Sequence, residues 1–307
     1  MRSALHLLTD RPVLTGVLGA LTIAFSAIFV RLADATPATA AVFRCVYALP
    51  ALAILAWYEQ RRYGSRAAGQ GRLAWIAGAF FAIDLVLWHH AIEEVGAGLA
   101  TVLGNLQVVI VPIAAWLVLG ERPGARVAAS VPVVLIGVVL ISGVVGAEPY
   151  GRNPVLGVLF GAGTGLAYAG FLLVQRRANA DIRRPSGPLF DATLSAAVFS
   201  LLIGLVFGDV DLVPTWPMHG WLLLLALSVQ VVGWLLISIS LPRLPAAITS
   251  VVLTIQPVGS VLLGIWILAE APSPFQLVGV LFILAGLLIT TLRVRPFRQR
   301  HPQPEIG

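Results

Sequence analysis

The stretch NLQVVIVPIAAWLVLGERP at residues 105–123 returns as TIQPVGSVLLGIWILAEAP at residues 254–272. The match runs without a gap from residues 73–142 onto residues 222–291, at a constant spacing of 149. The recurring residues include Gln107 and Gln256, Glu121 and Glu270, and Pro123 and Pro272. Polar residues and prolines rarely keep one spacing by chance, so the chain contains an internal repeat.

The composition of the chain indicates that its solvent is lipid. Of 307 residues, 58% are apolar and 11% are charged, and the mean hydropathy is +0.92. A water-soluble domain carries roughly 25% charged residues. The net charge of +6 comes from arginines without interleaved stacking aromatics, so we expect no nucleic-acid partner. Cys45 is the only cysteine, which excludes an internal disulfide and a cysteine-based metal site.

Apolar runs predict the number of membrane spans. Crossing about 30 Å of hydrocarbon takes about 20 helical residues, and backbone groups in lipid must be satisfied within the segment. We therefore predict an all-α polytopic membrane protein with ten transmembrane helices. The predicted spans cover residues 13–32, 38–58, 73–92, 97–119, 126–146, 155–176, 188–208, 219–240, 246–268 and 275–292.

The arginines predict the orientation of these spans. With a cytoplasmic N-terminus, 17 of the 20 arginines fall in the terminal segments and the inside loops. Arg31 and Arg152 fall outside, and Arg44 lies within a span. Positive residues concentrate on the cytoplasmic side of a membrane protein. We therefore expect both termini to be cytoplasmic, in a bacterial inner membrane.

Each copy of the repeat holds five spans, and an odd number makes the second copy enter the membrane from the opposite side. Such an inverted repeat is typical of carriers that work by alternating access around a central site. The predicted units are a first five-helix repeat at residues 1–147 and a second, inverted one at residues 148–293. Residues 294–307 are expected to form a disordered cytoplasmic tail.

Several motifs resemble the drug/metabolite transporter superfamily in its ten-helix EamA-type form. They are PATAAVFRCVYA at residues 37–48, AGLAT at 97–101 with AAITS at 246–250, and the turns LGERP at 119–123 and LAEAPSP at 268–274. The resemblance is strongest to exporters of amino acids and metabolites, including YddG-type exporters of aromatic amino acids. It implies a monomeric carrier whose spans 1, 3, 4, 6, 8 and 9 surround a cavity. Arg44 has no basic counterpart in span 7, so it is not predicted to be a symmetric substrate ligand.

Polar residues at a spacing of four, which share one helix face, predict the lining of that cavity. Polar groups inside a bilayer are costly and usually face the bundle interior. In the alternative interpretation, the hydroxyls bond to their own helix or join neighbouring helices. The candidates from this pattern are Thr22, Ser26, Thr101, Asn105, Thr164, Tyr168, Gln230, Trp234, Ser238, Ser250 and Thr254.

Span 3 adds three further candidates, Asp84, Trp88 and His89. Asp84 is a candidate for carrying a coupling proton or holding a substrate ammonium; the alternative is a structural ion pair with Arg44. His89 and His90 point about 100° apart on a helix and cannot jointly bind a metal ion. No metal site and no cofactor are predicted.

Other residues are predicted to be structural. Gln107 and Gln256 are interpreted as hydrogen-bonding between helices. Glu121 and Glu270 are expected to accept free N–H groups of the next helix. Pro112 and Pro257 are predicted gating bends. Gly157, Gly161 and Gly165 are expected to allow close helix packing.

The sequence therefore predicts a carrier that exports small metabolites, with neutral or aromatic amino acids favoured as substrates. A channel-like facilitator and a multidrug exporter of the same fold remain alternatives. An intramembrane enzyme is a more distant one, because neither an H-E-x-x-H motif nor two facing catalytic carboxylates are present.

Overall fold

The computed structural model describes most of the chain. It covers residues 10–67, 69–107, 109–110, 113, 124–146, 148–179, 181, 183–240, 243–244 and 246–291, with the backbone alone at 176, 246–251, 253, 290 and 291. Within these ranges every regular element is helical. The elements are α1 (Pro12–Ala24), α2 (Ser26–Ala33), α3 (Pro37–Tyr63), α4 (Gln70–Val95), α5 (Ala97–Gly104), α6 (Ala125–Ile141), α7 (Pro154–Ala178), α8 (Ser186–Phe207), α9 (Met218–Leu224), a π-helical segment (Leu225–Gly233), α10 (Trp234–Ser240), α11 (Ala246–Leu268) and α12 (Pro274–Thr291).

The lengths of these helices fit a protein that crosses a membrane many times. Six helical stretches are long and apolar enough to span a bilayer: 12–33, 37–63, 70–95, 154–175, 186–207 and 218–240. Shorter apolar helices cover 125–141, 254–268 and 274–289. Residues 108, 111–112 and 114–119 of the predicted fourth span lie outside the described residues, so the total of ten spans stays a prediction.

Prolines and glycines set many helix ends. Pro12, Pro37 and Pro154 are first residues, where the missing N–H costs no hydrogen bond. Gly64 and Gly96 follow the ends of α3 and α4 with φ of 79° and 86°, a conformation that residues with a Cβ rarely adopt.

Helices of the first half pack against helices of the second half, and the internal repeat relates these contacts to one another. Helix α4 of the first half packs on α7 of the second half. Their repeat counterparts, which are α10 with the π-helical segment and α1, also pack on each other. Helix α3 packs on α8, α5 on α11, and α6 on α12, each being the repeat counterpart of the other. The core therefore lies along the interface between the two halves.

The glycine face of α7 makes the close contact that the sequence predicts. A Cβ at Gly161 would lie 2.5 Å from Leu103 Cβ, and one at Gly165 would lie 3.1 Å from Gln107 N. A Cβ at Gly157 would overlap Val95. Larger side chains at these positions would push α7 away from α4 and α5.

Three spans are irregular at the same depth, near the middle of the bundle. The first span is interrupted at Phe25, between α1 and α2, and the carbonyl of Ala24 accepts a hydrogen bond from Ser260 Oγ at 2.9 Å. Helix α5 ends at Gly104, and Asn105 N bonds back to Val102 O at 3.1 Å. The eighth span is π-helical from Leu225 to Gly233. Such irregular backbone at membrane depth is found where it lines a cavity.

The predicted gating bend at Pro257 does not coincide with these irregularities. Pro257 is buried inside α11, and the helix continues through it from Ala246 to Leu268. Pro112 lies outside the described residues.

Loops predicted on one side of the membrane contact each other. Arg152 bonds to Glu94, and Thr36 Oγ1 bonds to Asp209 O at 2.9 Å, which joins loops predicted outside. Arg184 Nη1 donates to Gly64 O at 2.7 Å, which joins loops predicted inside. These contacts join described loops that the sequence predicts to lie on the same side, and the orientation of the chain in the membrane stays a prediction.

Candidate functional site

A polar cavity lies at the level of the three irregular spans, between the two halves of the chain. Its volume is about 60 Å³, which holds a few water molecules. The first half contributes ten lining residues and the second half four. They are Ile23, Ser26, Arg44, Phe81, Asp84, Leu85, Trp88, Thr101, Gly104, Asn105, Thr164, Tyr168, Trp234 and Gln256.

Eight of the residues predicted from sequence line this cavity: Ser26, Asp84, Trp88, Thr101, Asn105, Thr164, Tyr168 and Trp234. They come from spans 1, 3, 4, 6 and 8. Gln256 brings in span 9, which completes the set of spans that the family resemblance implies. Arg44 adds span 2, which that set does not include.

The cavity carries one group of each charge. Arg44 and Asp84 are 3% and 7% exposed, and no carboxylate among the described residues forms a salt bridge with Arg44. The predicted alternative of a direct Arg44–Asp84 ion pair is therefore absent from this structure.

A chain of neutral side chains holds Arg44 in place. Arg44 Nη2 donates to Gln230 Oε1 at 3.2 Å, and Gln230 Nε2 donates to Thr193 Oγ1 at 3.2 Å. Gln230 and Thr193 are both fully buried. Gln230 thus lies behind the cavity wall rather than in it, and it fixes the guanidinium from the side away from the cavity.

Aromatic rings form the wall on the side of the second half. Trp234 meets Tyr168 with ring centroids 6.3 Å apart and Phe81 at 5.9 Å, both edge to face. Phe171 stacks on Phe81 at 4.6 Å from behind. Trp88 closes another side, with the Arg44 guanidinium 6.0 Å from its ring centroid. This geometry suits apolar side chains and the face of a cation.

The small polar groups of the cavity fall into two kinds. Thr101 Oγ1 donates to Ala97 O and Asn105 Nδ2 donates to Thr101 O, both at 2.8 Å, so these side chains bond to their own helix while lining the cavity. Ser26 Oγ and Thr164 Oγ1 are buried without a hydrogen-bond partner among the described residues. Those two hydroxyls are available to a ligand or to water.

The remaining sequence candidates lie elsewhere. Thr22 donates to Leu18 O at 2.7 Å, away from the lining. His89 is 1% exposed, with Nδ1 2.9 Å from Pro37 O, where it joins α4 to the start of α3. Thr254 is partly buried and is not among the lining residues. The side chain of Ser250 lies outside the described part of the chain.

The sequence interpretation missed Arg44 and Gln256. Gln256 lines the cavity, whereas its predicted role was hydrogen bonding between helices. Arg44 was set aside because span 7 has no basic counterpart. A charged residue within a predicted span was nevertheless a signal in itself, because such residues usually face a cavity or a partner.

Glu270 joins the two halves at the end of the bundle that the sequence predicts to face outward. Its carboxylate accepts the N–H groups of Ala97 and Gly98 at 2.5 and 3.1 Å, at the start of α5. The prediction that Glu270 serves the next helix is therefore wrong, because α5 belongs to the other half. Burial raises the pKa of Glu270, and the two N–H groups and Arg31 oppose that rise. Glu121 lies outside the described residues.

A larger apolar crevice of about 380 Å³ is a different feature. It lies between α4, α7 and α8 toward the outer loops. Its walls include Ile83 and Phe207, which are 43% and 79% exposed, so it opens toward lipid. The smaller cavity is the candidate site, because it alone of these two is lined by Arg44 and Asp84 and by the unpartnered hydroxyls of Ser26 and Thr164. Among the described residues, no three His, Cys, Asp or Glu side chains cluster as a metal site would require.

Comparisons with known proteins agree with this architecture. The sequence model of the EamA-like transporter family matches residues 11–143 and again residues 155–292. The chain is 22% identical over 267 residues to the uncharacterized transporter YwfM of Bacillus subtilis, covering 85% of this chain and 86% of that protein. A protein of known crystal structure has the same fold, with a TM-score of 0.59 and 18% identity over 92% of this chain and 96% of the other.

Proposed function

The chain belongs to the EamA-like transporter family, within the drug/metabolite transporter superfamily, and on that premise we propose that it exports neutral amino acids by alternating access. The family and the helices establish a multi-pass membrane transporter. The substrate, the direction and the mechanism are the proposal. The observation that supports it best is the polar cavity between the two halves, lined by Asp84, Arg44 and aromatic rings.

The chemistry of the lining favours a zwitterion. A strongly anionic or polycationic solute would have to enter with charges unpaired, which is costly in a site of low dielectric. An amino acid brings one ammonium group and one carboxylate, and Asp84 can pair with the ammonium group. Tyr168, Trp234 and Phe81 offer contact to apolar or aromatic side chains.

The small size of the cavity supports alternating access. Sites for small molecules usually have volumes of about 300–1,000 Å³, so 60 Å³ corresponds to a contracted site. Widening requires the walls from the two halves to separate. Glu270 and the Glu94–Arg152 pair bridge helices at the outer end, and they would have to release for the cavity to open outward.

The proposed setting is the bacterial inner membrane, with both termini in the cytoplasm and a monomer as the working unit. The two five-helix repeats, residues 1–147 and 148–293, are proposed to have inverted topology. A cysteine placed in the outer loop at 148–153 and one in the C-terminal tail should then label from opposite sides. The proposed function includes no cofactor, no catalytic step and no nucleic-acid partner.

Transport by the purified protein in liposomes tests this proposal. The panel contains glycine, alanine, leucine, phenylalanine and tryptophan, with glutamate and a dicarboxylate as charged comparisons. We expect transport of the neutral amino acids above that of empty liposomes and little of the charged solutes. Transport of the charged solutes alone, or of none of the panel, would overturn the proposed substrate class.

A further inference from the structure

We propose that Arg44 is the binding residue for the substrate carboxylate, held in position by Gln230 and Thr193. This inference rests on the proposed function and names a ligand group within the same cavity. It assigns a role to Arg44, which the repeat does not predict to be a substrate ligand. Span 7 has the neutral Ser195 near the equivalent place.

The first support is that Arg44 is a buried cation with unused donors. A guanidinium has five N–H donors and no acceptor. Nη2 donates to Gln230 Oε1, and Nε is buried with no hydrogen-bond partner among the described residues. A buried charge that lacks an ionic partner is costly. A ligand carboxylate would supply that partner.

The second support is that Gln230, the side chain that positions Arg44, is neutral. Gln230 is a neutral amide, so it fixes the guanidinium without neutralising it. Gln230 is itself oriented by Thr193, since its Nε2 donates to the threonine hydroxyl and its Oε1 therefore faces Arg44. An acid at position 230 would have satisfied Arg44 permanently. The amide leaves the positive charge available to the cavity.

The third support is the relation of Arg44 to Asp84. The two line one cavity without forming a salt bridge. A carboxylate binds a guanidinium through two parallel hydrogen bonds. An α-amino acid that places its carboxylate on Arg44 has its ammonium group one carbon away, on the side of Asp84. Both buried charges then gain a partner, and the side chain is directed to the aromatic wall.

The test compares substrates that differ only in the carboxylate. Inhibition of labelled phenylalanine counterflow in liposomes is measured with unlabelled phenylalanine and with phenylalaninamide. The parent protein should prefer phenylalanine, and Arg44→Gln should lower that preference by roughly 10- to 100-fold. Arg61→Gln is the matched control, because Arg61 is exposed at the cytoplasmic end of α3 over the ring of Trp57.

A second variant keeps the test decisive if Arg44→Gln does not fold. Gln230→Glu has nearly the same shape and places a carboxylate against Arg44. If Arg44 serves the ligand, the new acid competes with the substrate carboxylate and the preference for phenylalanine over its amide falls in the same way. If Arg44 is only structural, the new ion pair leaves that preference unchanged, which overturns the inference.

The outcomes separate this inference from the proposed function. If the parent protein transports no neutral amino acid, the proposed function fails and the assignment of Arg44 fails with it. If the parent transports phenylalanine and both variants retain its preference over the amide, the proposed function stands and the assignment of Arg44 alone is wrong.

Discussion

The carboxylate of Glu270, in the second half of the chain, accepts the backbone N–H of Ala97, at the start of a helix in the first half. Glu270 is 4% exposed, and its other oxygen accepts the N–H of Gly98. A Cβ at Gly98 would lie 2.8 Å from Val261 Cα, so α5 and α11 are in close contact beneath this carboxylate. Glu270 thus joins the two repeats at the end of the bundle that the sequence predicts to face outward.

Removing that carboxylate should loosen the outer end. Glu270→Ala leaves two buried N–H groups unsatisfied, which should cost about 1–3 kcal/mol and lower the apparent Tm. It should also make a cysteine at Thr101→Cys react faster with an impermeant maleimide added from outside. The buried native thiol is removed in this background by Cys45→Ala. An unchanged Tm together with an unchanged labelling rate would show that Glu270 does not close the outer end.

The carboxyl group of Glu270 also predicts that closure at this end of the bundle depends on pH. Burial raises the pKa of Glu270 above its ordinary value in the closed form, and opening exposes the carboxylate to water and removes that shift. The closed form therefore binds the proton more tightly, so acid favours closure, and this preference is lost as pH rises through the raised pKa. Burial raises the pKa of Tyr150, which also acts on Glu270, so the Tyr150 hydroxyl stays protonated between pH 4.5 and 7.5.

The labelling rate at Thr101→Cys, corrected by an exposed reference cysteine, measures this dependence. It should rise from pH 4.5 to 7.5 in the parent background. Glu270→Gln mimics the protonated acid and should remove the pH dependence. A parent rate that falls with pH, or a Glu270→Gln rate that follows the parent, contradicts the assignment.

Asp84 is expected to couple transport to protons. It is a carboxylate at the cavity in the middle of α4, and protonation would change the charge there. Asp84→Asn should abolish transport driven by a pH gradient while substrate exchange without a gradient continues. Uptake in liposomes with and without an imposed gradient measures both. Full gradient-driven uptake in the variant would remove Asp84 from the coupling mechanism.

The aromatic wall is expected to set substrate size. Trp234→Ala and Tyr168→Ala remove cavity surface that contacts a large side chain, so phenylalanine and tryptophan should lose roughly tenfold more in apparent affinity than alanine. Trp266→Ala is a matched control, because Trp266 is 91% exposed on the outside of the bundle. Equal losses for alanine and tryptophan in both cavity variants would make these rings packing residues.

Much of the architecture follows from local sequence, because hydropathy and the repeat depend on composition and spacing alone. Polar faces at a spacing of four likewise place Ser26, Asn105 and Tyr168 at the cavity. The spacing of polar residues does not show which neighbouring helix a helix face contacts. It therefore placed Glu270 on the following helix, although that residue reaches α5 of the other half.

Departures from the symmetry of the internal repeat could not be predicted from the sequence either. The requirement for a counterpart in both halves excluded Arg44, and a cavity built from two copies need not use the same residue twice. The interruption at Phe25 has no proline or glycine to signal it. Its freed carbonyl is satisfied by Ser260, a contact that depends on how α11 packs against α1.

Counterflow of labelled phenylalanine in liposomes tests the central claim most directly. Liposomes preloaded with unlabelled phenylalanine and diluted into labelled phenylalanine should accumulate label transiently above its equilibrium level. This overshoot arises because one cavity, open alternately to each side, exchanges one molecule for another. Saturable counterflow that is reduced in Trp234→Ala and in Tyr168→Ala is the predicted result. A simple approach to equilibrium without overshoot, at a rate unaffected by these substitutions, would contradict an alternating-access carrier built around this cavity.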